Sequence, residues 1–339
     1  MAAPEARAST FGRPGGTDMW SWLLRSVGVL LLLSALGLSL SRAPDRAVQT
    51  LVARWAPPPS DFVDVNGMVV HLRDEGPRDD ALPLLLLHGT SASLHTWEGW
   101  VRALKTQRRV ISLDLPGFGL TGPFAGSYAP DDYRGDSYAR FVLDLMDQLK
   151  INRAVLAGNS LGGEIAWRVA TLAPQRVASL VLVDASGLQA QPQSVPIGLL
   201  IARAPVFSQI AEWVLPRALI TQGLASVYGD PAKVTTDLVD RYFELALREG
   251  NRRALGHRLR QMTAGDELSP PAERIDSIKQ PTLILWGGLD KLVPLAAGQD
   301  FHRRIAGSQL VVLEGLGHVP QEEDPARTVA PVKVFLGLK

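Results

Sequence analysis

Nine residues decide the fold of this chain: Val155-Leu156-Ala157-Gly158-Asn159-Ser160-Leu161-Gly162-Gly163. They join a run of strand-forming residues to a helical pattern through the spacing Gly-x-Ser-x-Gly. This spacing predicts a serine at the tip of a sharp strand-to-helix turn, where the backbone is strained and the hydroxyl is exposed. Bulky side chains two residues before and after the serine would collide, so we expect Gly158 and Gly162 to leave the necessary room. The turn also directs the first N–H groups of the helix towards Ser160.

A glycine-rich turn with a capping serine would show the same five-residue pattern, so two later motifs matter. Residues 286–294 place Asp290 just after one apolar strand pattern, and residues 315–320 place His318 just after the next. A serine hydroxyl needs a base to become a nucleophile, and the base needs a carboxylate to orient it. Serine, acid and histidine in this order are typical of one serine-hydrolase architecture. Asp184 also follows an apolar strand pattern and is the alternative acid, which we place behind Asp290.

Strand and helix patterns alternate through most of the chain. This alternation predicts an α/β fold with a mostly parallel, doubly wound sheet. Asn66-Gly67 predicts an antiparallel hairpin with a type I′ turn near its start. From about residue 187 to 275 the alternation stops, and helical patterns predict a lid over the carboxyl ends of the strands rather than a second domain. The apolar run of residues 84–87 predicts a strand buried on both faces, residues 109–113 predict the next strand, and residues 179–183 predict another buried strand.

The first sixty residues differ from the rest. Residues 1–18 are small and polar and are predicted to be disordered, whereas residues 19–41 form an apolar stretch long enough for a transmembrane helix. A signal peptide is the alternative, with Ser39-Leu40-Ser41 as a weak cleavage site. The consecutive prolines Pro57-Pro58-Pro59 predict a stiff linker over residues 42–60. The catalytic domain would then occupy residues 61–339.

Composition narrows the class of protein. The chain has 339 residues, of which 46% are hydrophobic, a net charge of +1 and no cysteine. These values predict a large globular domain, exclude disulfides and thiolate catalysis, and give no reason to expect nucleic acid as a partner. No cluster has convincing metal-ligand spacing, and no phosphate-binding or dinucleotide fingerprint occurs, so we expect neither metal nor cofactor.

From about residue 60 to the C-terminus the chain resembles the α/β-hydrolase fold proteins with a serine nucleophile. This group contains small-molecule esterases, haloperoxidase-like enzymes and meta-cleavage-product hydrolases. The resemblance rests on the motifs around Ser160, Asp290 and His318. It implies that these residues are the nucleophile, the acid and the base, respectively.

The resemblance also implies an oxyanion hole made of two backbone N–H groups. One belongs to Leu161, and the other to Thr90 after His88-Gly89, with Ser91 as an alternative donor. We expect substrate contacts from four residues: Ser91, His95, Asn159 and Val319.

The expected function is that of a membrane-anchored serine hydrolase acting on an ester of a small or medium apolar acid. Serine at position 160 argues against enzymes with an aspartate nucleophile, such as epoxide hydrolases and haloalkane dehalogenases. Carbon–carbon or amide bond hydrolysis is an alternative, although Val319 stands where carbon–carbon hydrolases often carry tryptophan. A low-turnover binding protein is a further alternative. In a bacterium we expect the inner membrane, with the catalytic domain outside the cytoplasm, or a periplasmic or secreted protein after cleavage; the oligomeric state is left open.

Overall fold

The computed structural model describes residues 17–188, 192–203, 212–263 and 272–339. It divides into two units, Met1–Arg42 and Ala43–Lys339. The described part of the first unit is helix α1 (Thr17–Leu40). Its apolar window has a mean hydropathy of 1.6 and is not buried, so by length and composition α1 is a candidate membrane span or signal segment. The prediction of disorder for residues 1–18 falls outside the described residues, apart from Thr17 and Asp18.

The second unit is built around an eight-stranded sheet with the strand order β1-β2-β4-β3-β5-β6-β7-β8 across its described residues. The first two strands run antiparallel to their neighbours, and the remaining pairs are parallel. The predicted α/β class and mostly parallel sheet are therefore confirmed. The strands are β1 (Ser60–Val65), β2 (Met68–Glu75), β3 (Leu84–Leu87), β4 (Val110–Leu113), β5 (Ala154–Asn159), β6 (Val177–Val183), β7 (Thr282–Gly287) and β8 (Gln309–Leu313).

Helices follow most of the strands, and short 3₁₀ turns occur at Leu94–Trp97, Pro174–Arg176 and Pro231–Lys233. The described helices after α1 are α2 (Gln49–Trp55), α3 (Glu98–Leu104), α4 (Gly135–Gln148), α5 (Leu161–Leu172), α6 (Ile197–Arg203), α7 (Arg217–Val227), α8 (Thr236–Ala246), α9 (Asn251–Thr263), α10 (Ala272–Asp276), α11 (Leu295–Arg304), α12 (Pro320–Glu323) and α13 (Pro325–Phe335). We call residues 187–275, which hold α6 to α9 and most of α10, the helical insertion.

The sheet is buried on both faces because successive side chains of a strand point in opposite directions. Leu85 and Leu87 belong to the core under α4, α5 and α11, whereas Leu84 and Leu86 belong to the core under α3 and α13. The doubly wound arrangement thus explains the unbroken apolar runs. At the sheet edge, Asn66 and Gly67 both have positive φ, 54° and 83°, which confirms the type I′ hairpin.

The segment predicted as a linker, residues 42–60, is not a free spacer, and that prediction is wrong. Ala43 is buried, and its N–H donates to the carbonyl of Trp213 at 2.9 Å. Leu51 of α2 is fully buried, and Arg54 forms ion pairs with α8 of the insertion. The segment contains a short helix, α2, whose packing partners include Leu120, Glu244 and Leu245, all distant from it in the sequence.

The helical insertion packs on the sheet domain. Its apolar side chains share clusters with Val319 and Leu120, which lie outside it. Arg258 of α9 is buried and pairs with Glu164 of α5 at 3.1 Å. The insertion therefore shares its apolar contacts with the domain, and its function as a lid stays a prediction.

Candidate active site

Ser160 lies at the turn between β5 and α5. Its backbone has φ 54° and ψ −115°, which a side-chain-bearing residue rarely adopts. A Cβ atom at Gly158 would overlap the carbonyl of Gly162, and one at Gly162 would overlap the carbonyl of Leu87. Both glycines therefore leave room for a strained turn, as the sequence predicts.

His318 and Asp290 lie together after β8 and β7. The distance from His318 Nδ1 to Asp290 Oδ2 is 2.6 Å, and both side chains are buried. Asp290 Oδ1 accepts from the N–H groups of Leu292 and Val293 at 2.8 and 2.9 Å. These bonds fix the carboxylate, which in turn holds a proton on Nδ1 and leaves Nε2 as the basic nitrogen.

The loop that carries His318 is held by the insertion and by Asn159. The N–H of His318 donates to the carbonyl of Val227, the last residue of α7, at 2.7 Å. A Cβ atom at Gly317 would overlap that same carbonyl. From the other side, Asn159 Nδ2 donates to the carbonyl of His318 at 2.9 Å. The position of this histidine therefore depends on α7 and on the strand that ends before Ser160.

Ser160 and His318 open onto one cavity of about 350 Å³. Thr90 and Ser91 line it as well, and the insertion supplies much of its apolar wall. Among the described residues, no hydrogen bond joins Ser160 to His318. Catalytic hydrogen bonds are often long in unliganded sites and shorten when substrate binds.

Backbone N–H groups next to Ser160 complete this part of the cavity. In the described part of the chain, the N–H of Leu161 and that of Thr90 donate to no protein acceptor. The loop before Thr90 lies close to the serine, since a Cβ atom at Gly89 would lie 3.2 Å from Ser160 Cβ. Ser91 has φ 63°, and its buried hydroxyl has no hydrogen-bond partner in the structure. The loop thus presents unpaired donors beside Ser160.

His88 holds the shape of this loop. Its Nδ1 bonds to the carbonyl of Gly89 at 2.7 Å, and its Nε2 accepts from the N–H of Leu115 at 2.9 Å. Burial lowers the pKa of His88, so the ring is neutral near pH 7. Its contacts are structural.

Three of the four residues predicted to contact substrate line the cavity, namely Ser91, Asn159 and Val319. His95 does not, and that part of the prediction is wrong. Its Nε2 bonds to the carbonyl of Trp55, and its ring lines a separate polar cleft of about 820 Å³. The 3₁₀ turn directs the ring towards α2, and burial lowers its pKa to about 4.

Asp184 lies next to the pair of His318 and Asp290. Acid and imidazole atoms of the three residues lie within 4.8 Å of one another. One oxygen of Asp184 accepts from the N–H of Gly287 at 2.8 Å, and the other is buried without a hydrogen-bond partner. Burial and the neighbouring charge of Asp290 raise the pKa of Asp184 well above its usual value. Asp290 bonds to the imidazole of His318, and Asp184 lies beside this pair.

The sequence did not indicate a second Ser–His–Asp chain of hydrogen bonds. His71 Nδ1 lies 2.7 Å from Asp114 Oδ2, and its Nε2 lies 2.9 Å from Ser60 Oγ. Asp114 also accepts from the N–H groups of Leu94 and Leu120, and the charge of His71 helps to keep its pKa well below the usual value despite complete burial. His71 and Asp114 lie together because β2 pairs with β4, and the N–H of Asp114 donates to the carbonyl of His71. Knowledge of this strand pairing would have been needed to predict the contact.

The fold and these motifs define the class of protein. Residues 83–325 match the family model described as alpha/beta hydrolase fold, and the chain belongs to this family. A curated relative, the dihydrolipoyllysine-residue acetyltransferase component of the acetoin cleaving system of Pseudomonas putida, is 31% identical over 256 residues. The match covers 75% of this chain but only 63% of that relative, so the relative's activity belongs to a longer protein.

Two solved structures are similar over most of their length. A meta-cleavage product hydrolase from Pseudomonas fluorescens is 26% identical, with a TM-score of 0.69 over 82% of this chain and 97% of that chain. A membrane phospholipase A, described as a bacterial virulence factor, is 26% identical, with a TM-score of 0.63 over 95% of this chain and 97% of that chain. Family and relatives together identify the chain as an α/β hydrolase.

Proposed function

We propose that the chain is a membrane-anchored serine hydrolase that cleaves an ester of a small or medium apolar acid. The observation that carries the proposal is the hydrogen-bonded pair of His318 and Asp290, which opens with Ser160 onto one cavity. Serine on a strained turn, a neutral imidazole and a fixed carboxylate are what nucleophilic acyl transfer requires.

The proposed reaction has two steps. His318 Nε2 takes the proton of Ser160 Oγ while that oxygen attacks the ester carbonyl. The N–H groups of Leu161 and Thr90 bind the resulting oxyanion, with Ser91 as an alternative donor. His318 then gives its proton to the leaving alcohol, and an acyl-enzyme remains. In the second step His318 removes a proton from water, and the hydroxide releases the acid from Ser160.

Two carboxyl groups have separate proposed roles. Asp290 stabilises the imidazolium that forms in both steps, because its second oxygen is held by two backbone N–H groups. Asp184 is not the acid in this proposal, since burial and the charge of Asp290 raise its pKa and disfavour its ionised form. This assignment keeps the order of motifs that the sequence indicates.

The shape of the cavity supports an apolar acyl group. The insertion lines it with aliphatic side chains, including Leu199, Ile201, Leu215, Leu219, Ile220 and Leu255. The cation at its wall, Arg252, already bonds to Asp45 at 2.5 Å. A neutral ester with an aliphatic acid therefore fits better than a polyanionic one. We also propose that the insertion acts as the lid of this cavity.

The proposed location is a membrane. Helix α1 is long and apolar enough to cross a bilayer, and the similar membrane phospholipase A supports this placement. In a bacterium we propose the inner membrane with the hydrolase domain outside the cytoplasm, and a periplasmic or secreted protein if the segment is cleaved. Cell fractionation with an N-terminal and a C-terminal tag distinguishes the two, because cleavage separates the tags.

A panel of p-nitrophenyl esters of increasing chain length tests the reaction, together with a fluorophosphonate probe that labels active serines. We expect hydrolysis with a preference for short or medium acids and labelling that Ser160→Ala abolishes. Carbon–carbon bond hydrolysis is the second candidate, supported by the similar meta-cleavage product hydrolase. Its assay is the loss of the visible absorbance of a ring-cleavage product. Labelling without turnover of any ester, dienoate or anilide would favour a low-turnover binding protein instead.

A further inference from the structure

Among the described residues of the helical insertion, three large apolar side chains are exposed to solvent. The exposed fractions are 54% for Ile197, 48% for Leu200 and 61% for Trp213. The residues beside them in the sequence, such as Leu199 and Val214, line the cavity. The two segments that form this part of the cavity wall are therefore apolar on the outer side as well as on the inner side.

The second unit begins at a residue that bonds to Trp213. Ala43 is buried, and its N–H bonds to the carbonyl of Trp213 at 2.9 Å. Only three residue steps separate Ala43 from Leu40, the last residue of α1. Three extended residues span at most about 11 Å. A short stretch of chain therefore joins the end of α1 to Ala43, the residue that bonds to Trp213.

Further contacts hold the first residues of the second unit in place. Asp45 bonds to Arg252 of α9, and the N–H of Arg46 donates to the carbonyl of Leu247 at 2.6 Å. These contacts fix the first residues of the second unit to the insertion. If α1 lies in a bilayer, the insertion is therefore the part of the hydrolase domain that the chain holds at the membrane surface.

The exposed side chains have the chemistry of a membrane interface. Tryptophan favours the headgroup level, and isoleucine and leucine favour the acyl region below it. Helix α6 (Ile197–Arg203) contains no acidic residue that anionic lipids would repel. Tethering by α1 also gives even a weak contact a high effective concentration of lipid.

We propose that Ile197, Leu200 and Trp213 form a lipid-docking surface that seats the cavity wall on the bilayer holding α1. Esters dissolved in that bilayer then enter the cavity from the lipid phase, so the substrate class is a bilayer-soluble ester of a medium-length acid, such as a medium-chain diacylglycerol or phospholipid. The docking rests on α1 spanning the membrane, and only the substrate class rests on the proposed ester hydrolysis.

The docking is tested with the full chain in vesicles of phosphatidylcholine and phosphatidylglycerol. Because the chain has no cysteine, Ile197→Cys places one environment-sensitive NBD label on the surface. Val334→Cys is the control, since Val334 is an apolar residue 81% exposed on α13. We expect nitroxide-bearing lipids to quench the label at position 197 several-fold more than the label at 334. Equal quenching at the two positions overturns the docking surface.

The route of entry is tested by the variant Ile197→Ser/Leu200→Ser/Trp213→Ser, with Val334→Ser as its control. These side chains are outside the cavity, so we expect a short soluble ester to be cleaved within about twofold of the wild-type rate. We expect hydrolysis of a vesicle-embedded phospholipid or diacylglycerol to fall by roughly tenfold or more, because apolar contact with the bilayer is lost. An unchanged rate on embedded esters overturns entry from the lipid phase. If the wild type cleaves no ester at all, the proposed function fails, and the quenching result still decides the docking.

Discussion

The described residues contain two buried histidine–aspartate pairs with nearly equal distances, and we propose a catalytic role for only one of them. The His318–Asp290 distance is 2.6 Å, and the His71–Asp114 distance is 2.7 Å. Each pair also has a serine beside it, Ser160 in the first case and Ser60 in the second. A hydrogen-bonded pair of this kind is therefore no evidence of catalysis by itself.

The pair of His71 and Asp114 is buried away from solvent, and both ring nitrogens of His71 have hydrogen-bond partners. The ring of His71 is completely buried and stacks on Phe62 with a centroid distance of 5.0 Å. Its Nε2 is occupied by Ser60, whose hydroxyl also accepts from Arg73 Nε at 3.0 Å. His318 instead faces a cavity beside a strained serine and unpaired backbone N–H groups. The two sites therefore differ in their surroundings. His318 lies at a cavity, whereas the pair of His71 and Asp114 is completely buried.

The largest expected difference lies between the two serines. Ser160→Ala should lower kcat by about a millionfold and abolish fluorophosphonate labelling, because the nucleophile is removed. Ser60→Ala should keep normal kcat and labelling and lose about 1 kcal/mol of stability with its hydrogen bonds. Single-turnover hydrolysis of an activated ester and in-gel labelling check both variants. Labelling that survives in Ser160→Ala would assign the nucleophile elsewhere.

Substitutions of Asp290 and Asp114 should differ in the same way as those of the two serines, with a smaller effect on kcat. Asp290→Asn should lower kcat by roughly ten-thousandfold, since an amide favours the wrong imidazole tautomer and cannot stabilise the cation. Asp114→Asn should keep kcat within a few-fold and lower the thermal midpoint, because a buried acceptor of several hydrogen bonds is weakened. Steady-state kinetics and thermal melts are the measurements. A large kinetic loss in Asp114→Asn would make the His71 pair functional.

Asp184 tests whether a third carboxylate takes part. Its pKa is raised above 3.8, so the folded state holds a proton that the unfolded state releases, and stability falls as the pH rises above about 4. Asp184→Asn removes this penalty. We expect kcat within about tenfold of wild type and a urea midpoint that gains more at pH 7 than at pH 4. A kinetic loss as large as that of Asp290→Asn would move the acid to β6.

The smallest expected effect concerns His95, whose ring centroid lies 6.4 Å from that of His71. Its pKa is lowered from 6.5 to about 4, so the unfolded state binds the proton more readily than the folded state. The stability due to a neutral ring is complete above about pH 6.5 and is lost as the pH falls towards 4. His95→Gln should reduce the drop in melting temperature between pH 7 and pH 5. If the drop in melting temperature is the same in His95→Gln as in the wild type, groups other than His95 cause it.

The sequence predicted what local patterns determine. The turn at Ser160 follows from five residues, and Asp290 and His318 follow from the ends of two apolar strands. The packing of α2 was missed because its partners, such as Glu244, are distant in the sequence and its own pattern is only seven residues long. The His71–Asp114 pair was missed because it depends on the register between antiparallel strands. Local spacing says little about contacts of this kind.

The contact between α7 and the loop of His318 couples the wall of the cavity to the position of the histidine. The histidine's own N–H is bound by the carbonyl of Val227, and the missing side chain of Gly317 allows that approach. Under the function proposed above, a movement of α7 that breaks this bond would remove one of the contacts that hold His318, leaving those to Asn159 and Asp290. The wall of the cavity and the proposed base are then mechanically coupled, so that a wider cavity and a well-placed base would tend to exclude one another.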